Sequence, residues 1–424
     1  MELLYEANSR PLTEKEIRHA LDKSIEGLKL RKVLLIPPDI TRFHSNAGMI
    51  TSYYYNKLKS YAKVDILPAL GTHEKMTKEE VKRMYQDIPY DVFIEHKWKT
   101  DVVPIGEVPS AYVKFVTYGG WDKPVLIEIN KLILDPTYDL ILSIGQVVPH
   151  EVIGMSNHSK NILVGCGGTQ TISASHMIGA IYGMERMMGK DHSPVRKILD
   201  YAWTHFLSSL PLQFVLTVTT APFNITQTHG LYIGDTRAVL EAAIAKSQAC
   251  NIDFLEQGIN TCVVYLDPLE FKTTWLGNKA IYRTRMAIKD GGHLIIIAPG
   301  VKRFGEDLTI DSYIRKYGYS GTNHILEQLK SSDELQQNMA VAAHLIHSSS
   351  DGRFQITYAT KYLTKAEVES VGFEYMDYES AIQAYPIHTF QPGYNTVQNT
   401  SIFYIPNPAL GLWIDKQRFT KEME

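Results

Sequence analysis

Residues 139–176 read DLILSIGQVVPHEVIGMSNHSKNILVGCGGTQTISASH, and their three segments decide the fold class. Residues 139–144 form an apolar, β-branched run too short for a helix, the signature of a strand buried on both faces. A loop rich in Gly, Ser and Asn follows, and helical spacing sets in over residues 169–188. Strand, loop and helix in that order make up the repeating unit of a parallel sheet covered by helices.

The same unit recurs outward in both directions. Upstream, a run at 33–36 precedes PPDITRF and a helical stretch from Ala47; a run at 64–70 precedes GTHEKMTKEEVKRMY, where Thr77 and Glu80 form a capping box. Downstream, 213–220 reads as a strand and 234–256 as one long helix. The alternation restarts with a strand at 260–265, a helix at 276–289 closed by Asp290-Gly-Gly292, and a strand at 293–298. Helical spacing spans 325–347, and QITYAT at 355–360 opens a smaller unit with a second capping box, Thr364 with Glu367. The expected architecture is α/β, two domains of mostly parallel sheet flanked by helices, 1–257 and 258–424, with the active site in the cleft between them.

With 424 residues, 44% of them hydrophobic, the chain is long enough for two cores, since single cores stop growing near ~250–300 residues. Its 43 basic and 46 acidic side chains give a formal net charge of -3 without blocks of one sign, so no nucleic-acid or membrane-surface partner is expected. The apolar runs fall far short of the ~18–20 residues of a membrane span, and the N-terminal segment has no cleavable apolar stretch. Cys166, Cys250 and Cys262 form no CxxC pair, which argues against a disulfide framework or a zinc ribbon. A cytoplasmic globular protein is the expectation.

In parallel sheets ligands bind beyond the carboxyl ends of the strands. Three such ends carry unusual polar residues: Asp39, Thr41 and Arg42; Gly71, Thr72 and His73; Pro149 and His150. A single loop histidine is most often a solvated surface residue. Two imidazoles facing each other across a cleft, however, can serve as general base and general acid near neutral pH. Arg42 reads equally as a fork for a substrate carboxylate or as a salt-bridge partner of Asp39. Lys160, inside SNHSKN, either solvates its loop or, hemmed in by small residues, is a covalent attachment point. His176 is a satisfied core histidine or a metal ligand. The turn Gly165-Cys-Gly-Gly168 resembles a phosphate cradle, in which free N–H groups around Gly165, Gly167 and Gly168 would hold a cofactor anion, although it is neither GxGxxG nor a Walker loop. His44 and Ser45 offer polar groups for hydroxyls on a longer substrate, or cap the next helix.

Asp39-Ile-Thr-Arg42, Gly71-Thr-His73, Pro149-His150, Lys160 and His176, in that order and with the last three at matching intervals, resemble the lactate racemase family. These are the nickel-pincer racemases and epimerases of 2-hydroxy acids. GGHLIIIAPG at 291–300 resembles a strand of that family's second domain. The resemblance implies an isomerase whose Lys160 carries, through a thioamide, a pyridinium-3,5-dithiocarboxylate-type mononucleotide holding nickel(II), with His176 completing the metal's coordination. It makes His73 and His150 the acid/base pair and Arg42 the carboxylate anchor, supported by Asp39 and Thr41. Lys279, in WLGNKAIYR, becomes a contact to cofactor or substrate, or else a helix-surface lysine. The implied partners are a small 2-hydroxy acid, either lactate-like or a larger sugar acid such as an aldonate, and the proteins that build and insert the cofactor.

One departure stands out. The family loop commonly reads SGG-x-K followed by LPG, whereas this chain has Ser156-Asn-His-Ser-Lys160 and then Leu163-Val-Gly165. Two rival classes accompany the main reading. A zinc-dependent hydrolase or lyase would use His73, His150 and His176, but no HExxH or HxH motif accompanies them. A non-catalytic ligand-binding homologue that lost the cofactor would account for the altered loop, while the two cleft histidines speak against it.

Overall fold

In the computed structural model of the chain, the apolar run that opens the quoted stretch forms the strand Leu140–Gln146, buried along its whole length. The structure describes residues 2–7, 9–222, 225–409 and 411–421. They divide into two units, Met1–Ile178 with Met188–Asn251, and Gly179–Met187 with Ile252–Glu424.

The first unit is built on a six-stranded sheet in the spatial order Leu3–Glu6, Gln227–Gly234, Leu212–Thr220, Leu140–Gln146, Lys32–Ile36, Lys63–Ile66. The last four strands are mutually parallel, and the first two add antiparallel at one edge. Side chains alternate across a strand, so each strand feeds two cores. Leu34, Ile36, Ile141 and Leu216 pack on one face; Val33, Leu35, Leu142 and Val215 pack on the other. Helices cover both faces, which is why these strands read as continuous apolar runs instead of alternating ones. The expected capping box forms: Thr77 accepts from Glu80 N–H and opens the helix Lys78–Tyr85.

The second unit carries its own six-stranded sheet, ordered Glu374–Asp377, Gln355–Thr360, Ile288–Ala298, Ile259–Tyr265, Thr400–Ile405, Gly393–Val397. All neighbours are parallel except the last pair. A mixed α/β fold with mostly parallel sheets flanked by helices is therefore what the chain adopts. The chain enters the second unit after Ile178, leaves it after Met187, and enters again after Asn251. Glu185 anchors the short excursion, accepting from Arg285 Nε at 2.8 Å and from Arg353 at 2.6 Å. No helix among the described residues is long and apolar enough to cross a membrane.

Three elements differ from the reading of the sequence. The long helix over 234–256 is shorter, Arg237–Asn251, because Gln227–Gly234 and Ile252–Leu255 on either side are strands. The helix over 276–289 is two short ones, Thr274–Gly277 and Lys279–Thr284, and the Asp290-Gly-Gly292 stop lies inside the strand Ile288–Ala298. The stretch 325–347 breaks into three helices at Ser332 and Asn338.

Candidate active site

Lys32–Ile36 lies between Lys63–Ile66, the next strand in the chain, and Leu140–Gln146 on its other side. This is the point where strand order reverses, and the carboxyl ends of all three strands line up there. Pairing continues one step past them through a bridge from Pro38 to Ala69. The loops holding Asp39–Arg42, Gly71–His73 and Pro149–His150 therefore emerge side by side. Three hydrogen bonds join the lysine loop to these strand ends: Gly71 N–H donates to Gly165 C=O at 2.8 Å, and Asn161 Nδ2 donates to Ile36 C=O at 3.3 Å and Ser143 Oγ at 2.9 Å. Gly71 turns here with φ +57°, a left-handed conformation that suits glycine.

Asp39 is buried and its two oxygens are fully occupied. Thr41 donates to Oδ1 from N–H at 3.1 Å and from its hydroxyl at 2.5 Å, and His73 Nδ1 lies 2.5 Å from Oδ2. Burial alone would raise this carboxyl, but the His73 ring, the Thr41 hydroxyl and the charge of Arg42 outweigh it and hold it down to about 2. An ionised carboxylate only accepts, so the proton of His73 sits on Nδ1 and Nε2 of the neutral ring is bare. The salt bridge between Asp39 and Arg42 does not form. Arg42, half-buried, makes no side-chain hydrogen bond or ion pair with any described residue and acts on Asp39 only through its charge.

His150 has the opposite tautomer. It sits in a two-residue strand, Pro149–His150, paired with Gly154–Met155, and its buried ring accepts Val152 N–H on Nδ1 at 3.1 Å. Nε2 of the neutral ring therefore carries the proton. Glu151, whose Oε2 lies 3.7 Å from His150 Nδ1, is a site residue the sequence reading passed over. Its charge also bears on Lys160 and His176. The only sequence signal for it was its place beside His150.

Lys160 opens the short helix Ser159–Leu163 and is half-buried, with no side-chain hydrogen bond or ion pair to a described residue. Burial, then the charge of Arg42, lowers its amine to about 8, against the opposing pull of Glu151. His176 lies on the helix Thr169–Tyr182, and its Nδ1–H donates to Ile172 C=O one turn back at 2.7 Å. A carbonyl cannot donate, so the hydrogen bond fixes the tautomer and leaves Nε2 as a free lone pair. Burial, aided by the charges of Lys160 and His73, keeps the imidazole neutral down to about 4. A neutral imidazole with its second nitrogen locked is the form that binds a metal.

The altered loop keeps the backbone that glycines would take. Asn157 has φ 69°, and His158 has φ 56° with ψ -130°, a positive-φ backbone that glycine adopts most readily. Arg196, fully buried, holds them there: it donates to Met155 C=O at 2.7 Å, to Asn157 C=O at 3.2 and 3.3 Å, and to Ser159 Oγ at 3.0 Å. His158 stacks on Phe214 at 3.8 Å between ring centroids.

Other expected features sit differently. The N–H groups of Gly165, Cys166, Gly167 and Gly168 all donate to backbone carbonyls, and the helix start is occupied by Glu128, which accepts Gln170 N–H. No free N–H remains at Gly165, Gly167 or Gly168 for a phosphate. These glycines instead permit close packing: a Cβ on Gly167 would lie 2.1 Å from Leu163 C=O. Ser45 caps the following helix, accepting Ala47 N–H at 3.1 Å, and His44 bonds Thr226 at 3.1 Å, so the argument for a longer substrate loses its two polar groups. Lys279 belongs to the second unit; it is buried, not on a helix surface, with its ammonium 5.6 Å from the Phe271 ring centroid. Among the described residues no three His, Cys, Asp or Glu side chains come together as a metal site, which removes the basis for a three-histidine zinc centre. One histidine suits a metal that arrives with its other ligands.

Residues 3–189, which include every gathered group above, match the family model of the lactate racemase N-terminal domain. The chain resembles the lactate racemases over this segment. It is 26% identical over 308 residues to a lactate racemase from Thermoanaerobacterium thermosaccharolyticum, an alignment covering 66% of this chain and 65% of that relative's length. The fold matches a structural-genomics protein from Thermotoga maritima with a TM-score of 0.84 and 24% identity, over 97% of this chain and 100% of that one. It also matches the lactate racemase apoprotein of T. thermosaccharolyticum with a TM-score of 0.66 and 18% identity, over 95% and 93%.

Proposed function

We propose that this chain acts as a lactate racemase-like enzyme that inverts C2 of a small 2-hydroxy carboxylate, using a nickel-pincer nucleotide held by Lys160 and His176. The observation that carries the reading is the pairing of an unpartnered, half-buried Lys160 amine with a His176 whose hydrogen bond to Ile172 leaves Nε2 free. The donor set fits the group: an amine for covalent attachment and one imidazole for a metal whose remaining ligands are soft and supplied by the nucleotide. When bound, that group would supply a reversible acceptor for the hydrogen that leaves C2 as hydride.

The chain's own residues account for the remaining chemistry. Arg42, without an ion-pair partner, offers its fork to the substrate carboxylate through two parallel hydrogen bonds. His73 takes the C2 hydroxyl proton on its bare Nε2, and Asp39 stabilises the imidazolium that forms. His150 donates its Nε2–H to the C2 oxygen and polarises the carbonyl as a neutral ring. The 2-oxo acid is planar at C2, so hydrogen can return to either face. Use of His150 as base for the other stereoisomer requires its proton to move to Nδ1, where Glu151 is placed to receive it. This division of labour avoids the carbanion that direct abstraction of a very weakly acidic C–H would need. It also favours a lactate-like substrate, since His44 and Ser45 are engaged within the fold.

The test is to express the chain in cells that make the pincer nucleotide. The peptide containing Lys160 should gain the cofactor's mass, with nickel bound in equal proportion. His176→Ala should lose the nickel while keeping the mass increment. A fully active enzyme with an unmodified Lys160 would refute the assignment.

A further inference from the structure

We infer that the chain has a second activity before any cofactor is attached: Lys160 condenses with 2-oxo acids to form an imine, so the unmodified protein is a covalent 2-oxo-acid binder. The inference concerns the bare amine and does not rest on the nickel reading. Two cationic side chains, Lys160 and Arg42, are half-buried at one set of strand ends, and neither has a side-chain hydrogen bond or ion pair with a described residue. The bond from Asn161 to Ile36 ties the Lys160 loop to the strand that leads into Arg42, and the bond from Gly71 N–H to Gly165 C=O ties it to the His73 loop. A 2-oxo acid presents a carboxylate next to an electrophilic carbonyl. The guanidinium fork suits the first and a free amine suits the second.

The groups for proton transfer are also in place. The Lys160 lone pair forms a bond to the carbonyl carbon as one proton passes from nitrogen to the carbonyl oxygen, giving a neutral carbinolamine. His73, bare at Nε2, then removes the second proton from nitrogen and delivers it to the hydroxyl, which leaves as water as the C=N bond forms. Amine and ketone become imine and water, and nothing is oxidised or reduced. Burial and Arg42 assist by lowering the amine to about 8 from 10.5, which raises the uncharged fraction at neutral pH on the order of a hundred-fold.

The experiment uses the full chain made in cells that lack the pincer nucleotide. It is incubated at neutral pH with pyruvate and cyanoborohydride, which reduces an imine to a stable secondary amine, and is then mapped by peptide mass. Lys160 should be labelled about ten-fold faster than the average surface lysine or more. Arg42→Met should slow labelling by pyruvate at least several-fold more than labelling by the uncharged carbonyl propanal, since both lose the charge that lowers the amine but only the carboxylate loses its anchor. Arg42→Lys, which keeps the charge but not the fork, should fall between and controls for misfolding. Labelling of Lys160 at the rate of other lysines, or equal effects of Arg42→Met on pyruvate and propanal, would overturn the inference. Failure of nickel loading with successful imine trapping, or the reverse, separates this activity from the proposed racemase.

Discussion

One carboxylate decides which nitrogen of His73 carries the proton. Asp39→Asn keeps the shape but lets an amide N–H face Nδ1, driving the ring to the wrong tautomer. We expect kcat to fall on the order of 10²–10⁴-fold with KM little changed; a variant within two-fold of the natural chain would remove the tautomer argument. The same site imposes two pH windows on stability. His176 titrates near 6.5 when unfolded and near 4 when folded, so the unfolded chain binds more protons in between. Its contribution is complete above about 6.5 and is lost as pH falls to about 4. Asp39, lowered from 3.8 to about 2, contributes above its unfolded value and loses that as pH falls through 2. Urea denaturation as a function of pH should show both slopes, and His176→Gln should flatten the upper one. His73 and His150 were legible as candidates because each follows an apolar run, and Lys160 because it lies in a small-residue loop; His176, on a helix, read as a core histidine or a metal ligand until the resemblance favoured the second. The histidine tautomers were not legible, because the hydrogen bonds that set them come from backbone groups and from Asp39, 34 residues away from His73.

Elements with local signals were read well. Both expected capping boxes form, and a third, Thr13 with Glu16, follows the same rule. Elements fixed by distant partners were not. The expected helix over 234–256 ends early because Ile252–Leu255 pairs with Leu412–Asp415, and periodicity cannot report a neighbour so far along the chain. The hairpin of Val102–Val108 with Val125–Asn130 escaped notice because Pro104 and Gly106 look like strand breakers; they flank a register shift in the ladder. The lysine loop shows the converse, a lost sequence pattern with a retained backbone. Arg196→Met should cost about 2–4 kcal/mol by stranding the carbonyls it holds, and should slow modification of Lys160. Asn157→Gly should be tolerated at φ 69°, whereas Asn157→Val should cost about 1–3 kcal/mol more. Chemical denaturation of the variants provides the check.

At the scale of the whole molecule, the alternation of strands and helices made the α/β class readable, since covered parallel strands have to be apolar throughout. The gathered site residues all lie within Met1–Ile178, and Lys279 lies in the other unit. The path of the chain was not legible: nine residues, Gly179–Met187, pack with the second unit although the first of them, Gly179 to Tyr182, are the end of the helix that carries His176. Their Glu185 is a carboxylate partner shared by Arg285 and Arg353, beside Asp351 for the first and Asp290 for the second. A gene cut between the codons for Asn251 and Ile252 would therefore not release two portable modules. The fragment from Ile252 onward would retain a nearly buried guanidinium left with Asp351 at 3.4 Å as its remaining counterion, a loss of about 1–3 kcal/mol, and should show weakened near-ultraviolet circular dichroism until a synthetic peptide spanning 179–187 is added back. A chimaera that exchanges the second module of this chain needs two splice points.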